Sequence, residues 1–191
     1  MKTLLNKLLK GRITRWGFLA VLLLAVGAFF VGMSPRHGKL GGAWLGGVLG
    51  IKWTVIHTPL DPIGRTATLQ IQFPTWPAEM QTELLDKYGA QTLSSGVGEM
   101  AMRDSNTAKF TWVAYAVTDE HPAVIKAIWV VTGTWDFTGV DMAMSRETLN
   151  IYPADVPLCP NGLPDPKVKE CAPLETIKFP PGLSVRVPIL Q

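Results

Sequence analysis

Three histidines, His37, His57 and His121, are the residues of this chain best suited to metal binding or proton transfer. Zinc-binding sequences place ligands at short spacings such as i and i+4, and no two of these histidines stand so close. The carboxylate pair Asp119 and Glu120 lies in a segment typical of an exposed turn, where acids are solvated. No serine elbow or phosphate-binding loop is present either. We therefore predict no catalytic site, no metal, no cofactor and no enzymatic activity.

The two cysteines, Cys159 and Cys171, have eleven residues between them. They lie in segment 153–181, which carries eight prolines. Proline cannot donate a hydrogen bond to a sheet, so this segment is predicted to wrap over the surface as an extended loop. Outside the cytoplasm the pair is predicted to form a disulfide, which would stabilise the fold by about 3 kcal/mol. Free thiols are the alternative.

The seven tryptophans are the second notable feature of the composition. Trp16 and Trp44 suit a membrane interface, and Trp76, within Phe-Pro-Thr-Trp-Pro, suits a contact with a partner protein. The alternative interpretation is that the tryptophans of the domain pack its core. A third possible use is the lining of an apolar ligand cavity between sheets.

The charges are divided unevenly along the chain. Residues 1–51 hold seven of the eighteen lysines and arginines and no acid, so residues 52–191 hold eleven basic and fifteen acidic residues, a net charge of −4. No run of basic residues in the second part is interleaved with aromatic residues. We therefore predict that the chain does not bind nucleic acid.

An uncharged apolar run covers residues 16–33. Its eighteen residues make about 27 Å of helix, close to the thickness of the bilayer hydrocarbon core. Five basic residues precede the run and two follow it closely, an asymmetry that predicts a cytoplasmic N-terminus. We assign residues 1–15 as a basic cytoplasmic segment and 16–34 as a transmembrane helix. A cleaved signal peptide is the alternative, although its apolar core usually has only about 7–15 residues.

Glycines recur at every fourth position just beyond this run, at Gly38, Gly42, Gly46 and Gly50. On a helix these glycines form one stripe, which lets a second helix approach closely. We assign 35–51 as a Gly-rich juxtamembrane segment, either a short interfacial helix docked on a partner or a flexible connector. The connector is favoured by the low helix propensity of glycine.

Apolar and polar residues alternate in several stretches of 52–191, as they do in half-buried strands. Segment 77–88 instead has the composition of a short helix that ends at Gly89. We therefore predict an all-β domain, a β-sandwich or a partly open barrel with one short helix, carried on a single transmembrane helix. The predicted strands are Trp53–Thr58, Arg65–Phe73, Val97–Met102, Phe110–Val117, Val124–Phe137, Met142–Tyr152 and Leu183–Leu190.

These features together predict a single-pass, membrane-anchored, non-catalytic accessory or structural subunit of a larger integral membrane complex. Photosynthetic and respiratory assemblies contain single-span subunits of this size, which is an analogy only. We expect the chain in a bacterial inner membrane with its β-domain in the periplasm, and its partners are the lipid bilayer and other subunits. The alternative is a membrane-tethered periplasmic assembly factor, or a binder of an apolar ligand in a cavity of about 300 Å³ or more.

Overall fold

The computed structural model describes residues 40–156 and 168–187. These ranges form a mostly β structure with one short α-helix, Ala78–Leu84 (α1). Its strands are Gly42–Val48 (β1), Ile51–Pro59 (β2), Thr66–Thr75 (β3), Thr92–Leu93 (β4), Gly96–Met102 (β5), Thr107–Val117 (β6), Ile125–Phe137 (β7), Met142–Pro153 (β8), Glu175–Lys178 (β9) and Gly182–Arg186 (β10).

Eight of these strands close into an antiparallel barrel. Their order is β10-β1-β2-β3-β5-β6-β7-β8, and β10 pairs with both β1 and β8. The ring therefore has no open edge between its first and last strands. The all-β prediction is confirmed, but the sandwich and the partly open barrel are replaced by a closed barrel, because β1 supplies the strand that completes the ring.

The core lies inside the barrel and follows the alternation of the strands. On β3, for example, Ala67, Leu69 and Ile71 are buried, while the residues between them face outward. An eight-stranded barrel has an interior just wide enough for side chains to fill. Among the described residues, the buried core contains seven tryptophans and phenylalanines and seven alanines, so large rings pack beside small side chains.

Residues 42–48 form strand β1 rather than the interfacial helix or the flexible connector that the glycine spacing predicted. In strand β1, Gly46 leaves space for side chains of the neighbouring strands. A Cβ at Gly46 would lie 2.3 Å from Nε1 of Trp53 and 2.4 Å from Oγ of Ser184, so only glycine leaves room for the indole. Gly50, at φ +83°, lies in the tight turn to β2, where glycine adopts this backbone conformation without strain.

The predicted helix is present. It comprises α1 and a following 3₁₀ turn, Asp86–Tyr88, and it ends at Gly89 with φ 71°. Leu84 and Leu85 are buried in the main core, so the helix packs its apolar side onto the barrel.

The proline-rich segment was predicted to be an extended loop throughout, but residues 175–178, which contain no proline, form β9 on the edge of β8. Cys171 is buried at the end of a 3₁₀ turn, whereas Cys159 lies outside the described residues, so the disulfide stays a prediction. The predicted transmembrane segment 16–34 lies outside them as well. Within the described ranges, none of the helices has the length and apolar character needed to cross a membrane.

Candidate functional site

Strand β8 carries one acidic side chain on the face that lines the barrel interior. Glu147 lies between Ser145 and Leu149, which are both buried, and it forms part of the wall of two internal cavities. Its cross-strand neighbour on β7 is Gly133. A Cβ at Gly133 would lie 2.7 Å from Cζ of Phe110, so the glycine makes room for this ring close to the acid.

The two cavities each have a volume of about 20 Å³. A volume of this size holds about one water molecule. Their walls share Glu147 and three aromatic residues, Trp53, Phe73 and Trp112. The first cavity is also lined by Val55, His57, Leu69, Ile71, Met100, Phe110 and Trp135. The second is also lined by Val48, Ile51, Trp76, Trp129, Val131, Leu149 and Phe179.

The carboxyl group of Glu147 is surrounded mainly by apolar walls. Burial raises the pKa of Glu147 from 4.5 to about 7, because removal from water disfavours the charged form, and the nearby Ser145 hydroxyl opposes part of this rise. In the part of the chain that the structure describes, no lysine or arginine lines either cavity. Glu147 therefore changes its charge near neutral pH, with no basic side chain beside it to hold the charged form.

His57 is buried and also lines the first cavity. Burial lowers the pKa of His57 from 6.5 to about 4; the Leu40 backbone opposes this change, and the charge of Arg186 adds to it. Among the described residues neither ring nitrogen has a hydrogen-bond partner of ordinary geometry. The imidazole is therefore neutral at pH 7. One of its two nitrogens then carries no proton and can accept a hydrogen bond.

Aromatic rings surround both of these polar groups. His57 packs against Trp135 and Trp44, with ring centroids 4.9 Å and 6.0 Å away. On the Glu147 side, Phe73 contacts Trp112 at 5.5 Å and Trp76 at 5.6 Å. Such centroid separations lie in the range of favourable ring pairs. Among the described residues, the interior thus combines aromatic rings with one acid and one neutral imidazole.

The outer face of the strands that close the barrel is apolar. Met142 on β8, Val185 on β10 and Leu45 on β1 are in register, and Leu183 lies two residues from Val185 on the same strand. These four side chains are 43–54% exposed. We call Leu45, Met142, Leu183 and Val185 the outer seam. A contiguous exposed apolar patch of this kind is typical of an interaction surface.

The structure separates the residues that the sequence suggested as membrane or partner contacts. Trp44 is fully buried in the barrel, and Arg186 covers its ring at 4.8 Å. Trp76 is half-buried and packs on the core. The glycines Gly42, Gly46 and Gly50 belong to β1 and its turn and form no helical stripe. Trp16 and Gly38 lie outside the described residues, so their contacts stay predictions.

Two interior residues were not selected as site residues from the sequence. Glu147 was inside a predicted strand, Met142–Tyr152, and the alternation of that strand places it on the same face as Leu149 and Ile151. The sequence signal that could have identified Glu147 as an interior residue was an acid on the apolar face of a strand. His57 shares the inner face of β2 with Trp53 and Val55 in the same way.

The fold and the site define a closed eight-stranded antiparallel barrel whose interior, in the part of the chain that the structure describes, holds the carboxylate of Glu147 among aromatic rings. Within the described ranges, no group of three or more histidine, cysteine, aspartate or glutamate residues could hold a metal ion. Comparison with known proteins gives no relative, since no protein family, no curated protein and no solved structure matches this chain.

Proposed function

We propose that this chain is a membrane-tethered, non-catalytic accessory subunit of a larger integral membrane complex, and that the outer seam is the surface that binds a neighbouring subunit. The observation that carries the proposal is the in-register row Met142, Val185 and Leu45, exposed on three adjacent strands. A row of large apolar side chains on a sheet face is costly to leave in water and is suited to a protein partner.

Burial of the outer seam supplies part of the free energy of a specific contact. Complete burial of one large apolar side chain contributes about 1.5–3 kcal/mol. The four seam residues are roughly half exposed, so burying the rest of their surface contributes about 3–6 kcal/mol in total. This value suits a contact that is strengthened by a second attachment, here the predicted membrane anchor.

The position of the seam along the chain supports a partner that is itself in the membrane. Only residues 35–41 separate the predicted transmembrane helix from β1, which carries Leu45 of the seam and pairs with β10. A short tether restricts the domain to partners close to its own anchor and raises their effective concentration. We therefore expect the occupant of the seam to be an apolar surface of an integral membrane subunit.

The interior favours this function over storage of an apolar ligand. Each internal cavity holds about one water molecule, whereas pockets for drug-sized ligands have volumes of about 300–1,000 Å³. A more open concavity of about 730 Å³ is also present, but seven of the twelve residues that line it carry polar or charged side chains, which suits an apolar ligand poorly. The second candidate is a tethered assembly factor, because an apolar seam also suits a transient partner. The two candidates differ in whether the chain stays in the mature complex.

The proposal can be tested with the full-length chain extracted in a mild detergent. We expect it to co-purify with membrane proteins, and we expect Leu45→Lys or Val185→Lys to release them. Val97→Lys is the matched control, since Val97 is 60% exposed on β5, on the opposite side of the barrel ring. A chain that runs alone in every gentle detergent, or equal loss with all three variants, would contradict the proposal. Recovery of partners only from immature complexes would instead support the assembly factor.

A further inference from the structure

Seven of the eleven described residues in the wall of the first cavity carry groups that can attract a positive charge. Glu147 supplies carboxylate oxygens, and neutral His57 supplies one unprotonated ring nitrogen. Trp53, Phe73, Phe110, Trp112 and Trp135 supply aromatic rings, and tryptophan is the best aromatic partner of a cation. None of the described residues in this wall is a lysine or an arginine.

We propose that the first cavity is a binding site for ammonium, held by the Glu147 carboxylate, by the unprotonated nitrogen of His57 and by the surrounding aromatic rings. Carboxylate and imidazole accept N–H hydrogen bonds, and the rings attract the cation through their faces. The proposal concerns the barrel interior and is independent of the proposed function of the outer seam.

The size of the cavity selects the ligand. A volume of about 20 Å³ accepts one water-sized species, and ammonium has about the size of water. Tetramethylammonium, the usual ligand of aromatic cages, is far larger. Calcium and magnesium need six or more oxygen ligands, whereas a single carboxylate side chain lines this cavity within the described part of the chain.

The bound cation would neutralise the charge of the Glu147 carboxylate. An ionised carboxylate in an apolar interior is unfavourable unless an opposite charge compensates it. Ammonium supplies that charge. Entry as neutral ammonia leads to the same state: the O–H bond of protonated Glu147 breaks, an N–H bond forms on ammonia, and an ammonium–carboxylate pair results without any other reactant.

The groups that face Glu147 determine how binding depends on pH. His57 is the other titratable side chain in the wall, and it stays neutral above pH 5 because of its lowered pKa. Arg186 packs on Trp44, beyond His57, and its positive charge acts at longer range. Since the pKa of Glu147 is about 7, its ionised fraction rises about tenfold from pH 6 to pH 8, and the apparent affinity for ammonium should rise by the same factor.

The test is a titration of the full-length chain in detergent micelles, with ammonium chloride replacing sodium chloride at constant ionic strength. Tryptophan fluorescence reports on the cavity wall. We expect a saturable change at pH 8, an affinity about tenfold weaker at pH 6, and no saturable change in Glu147→Gln. Glu99→Gln, which removes an exposed acid on β5, is the matched control and should behave as the native chain.

A second measurement on the native chain does not depend on how a variant folds. ¹⁵N-labelled ammonium should give a bound or broadened resonance at pH 8 that unlabelled ammonium displaces and tetramethylammonium does not. Equal responses to ammonium and sodium would overturn the proposal. So would displacement by tetramethylammonium, or a saturable response of Glu147→Gln equal to that of the native chain.

Discussion

Glu147 and His57 should give the stability of this barrel two opposite dependences on pH. Both side chains lie inside the barrel, but burial raises the pKa of the acid and lowers the pKa of the imidazole. Glu147→Gln removes the first titration and keeps the shape of the side chain. His57→Phe removes the second and keeps a ring that packs against Trp44 and Trp135.

The sign for Glu147 follows from its raised pKa. Between pH 4.5 and about 7 the folded chain holds a proton on Glu147 that the unfolded chain has lost. The stabilisation that this proton contributes is complete below pH 4.5 and is lost as the pH rises to 7. At about 1.4 kcal/mol per pH unit, the loss over this range of about 2.5 units is about 3 kcal/mol.

The sign for His57 is the reverse. Between pH 6.5 and about 4 the unfolded chain binds a proton that the folded imidazole does not. The stabilisation from neutral His57 is therefore complete above pH 6.5 and is lost as the pH falls to 4, again by about 3 kcal/mol. The two slopes cancel over the window that they share, so the native chain should have a nearly constant contribution from the pair between pH 4.5 and 6.5.

Urea unfolding at pH 5.0 and pH 6.5, in sodium buffers without ammonium, measures each slope separately. As the pH rises from 5.0 to 6.5, roughly 1.5 units, the unfolding free energy of Glu147→Gln should increase by about 2 kcal/mol relative to that of the native chain. Over the same rise, the unfolding free energy of His57→Phe should decrease by about 2 kcal/mol relative to that of the native chain. Other titrating groups are common to all chains and cancel in these differences. The double variant should return to the native slope. Single variants with the native pH dependence would refute the shifted pKa values of Glu147 and His57 inside the barrel.

Three further outcomes test the fold. Gly46→Ala should destabilise the chain by about 1–3 kcal/mol in urea unfolding, because the added Cβ would clash with Trp53. If residue 46 instead lay in a helix or a connector, the same substitution should stabilise the chain. Gly139→Ala is the control, since no atom lies within 4 Å of the Cβ it adds, and it should not destabilise the chain. Leu85→Ala should cost about 2–5 kcal/mol in the same assay, since Leu85 is buried under the helix, and a smaller loss would mean that the helix is loosely packed. Asp61→Ala should lower the urea midpoint at pH 6, because the Asp61 carboxylate accepts four hydrogen bonds in the β2–β3 turn. These bonds, with the one from the Thr66 hydroxyl as the largest cause, lower the pKa of Asp61 to about 2. The difference in urea midpoint between the variant and the native chain should therefore shrink as the pH falls from 3.8 toward 2.

Most strands were predictable because their alternation was clear, but β1 was not. A spacing of four residues places glycines on one face of a helix, and it also places them on one face of a strand, because four is a multiple of two. Gly42 and Gly46 thus share a face with Trp44 inside the barrel. The pairing of β1 with β2 and with β10 distinguishes the two structures. The β10 partner lies far along the chain, and such long-range pairing leaves no local signal in the sequence. For the same reason closure of the barrel could not be predicted.

The interior site was partly predictable. The alternation of β8 and β2 places Glu147 and His57 on the apolar faces of their strands, and this pattern is visible in the sequence. Their presence in the wall of one cavity is not visible there, because β2 and β8 are separated by about 80 residues and are brought together only by the closed ring. The pKa values depend on this burial and could not be assigned from residue types.

The inner and outer faces of the closing strands have separate functions in these proposals, and the alternation of β1 and β10 makes the separation testable. Gly46 and Ser184 face inward beside Trp53, while Leu45 and Val185, the residues next to them in sequence, face outward. Glu147→Gln should therefore abolish the response to ammonium and leave partner binding unchanged, and Leu45→Lys should do the opposite. If Glu147→Gln also released the partner, the charge inside the barrel would control the outer seam, and the two sites would form one regulated system.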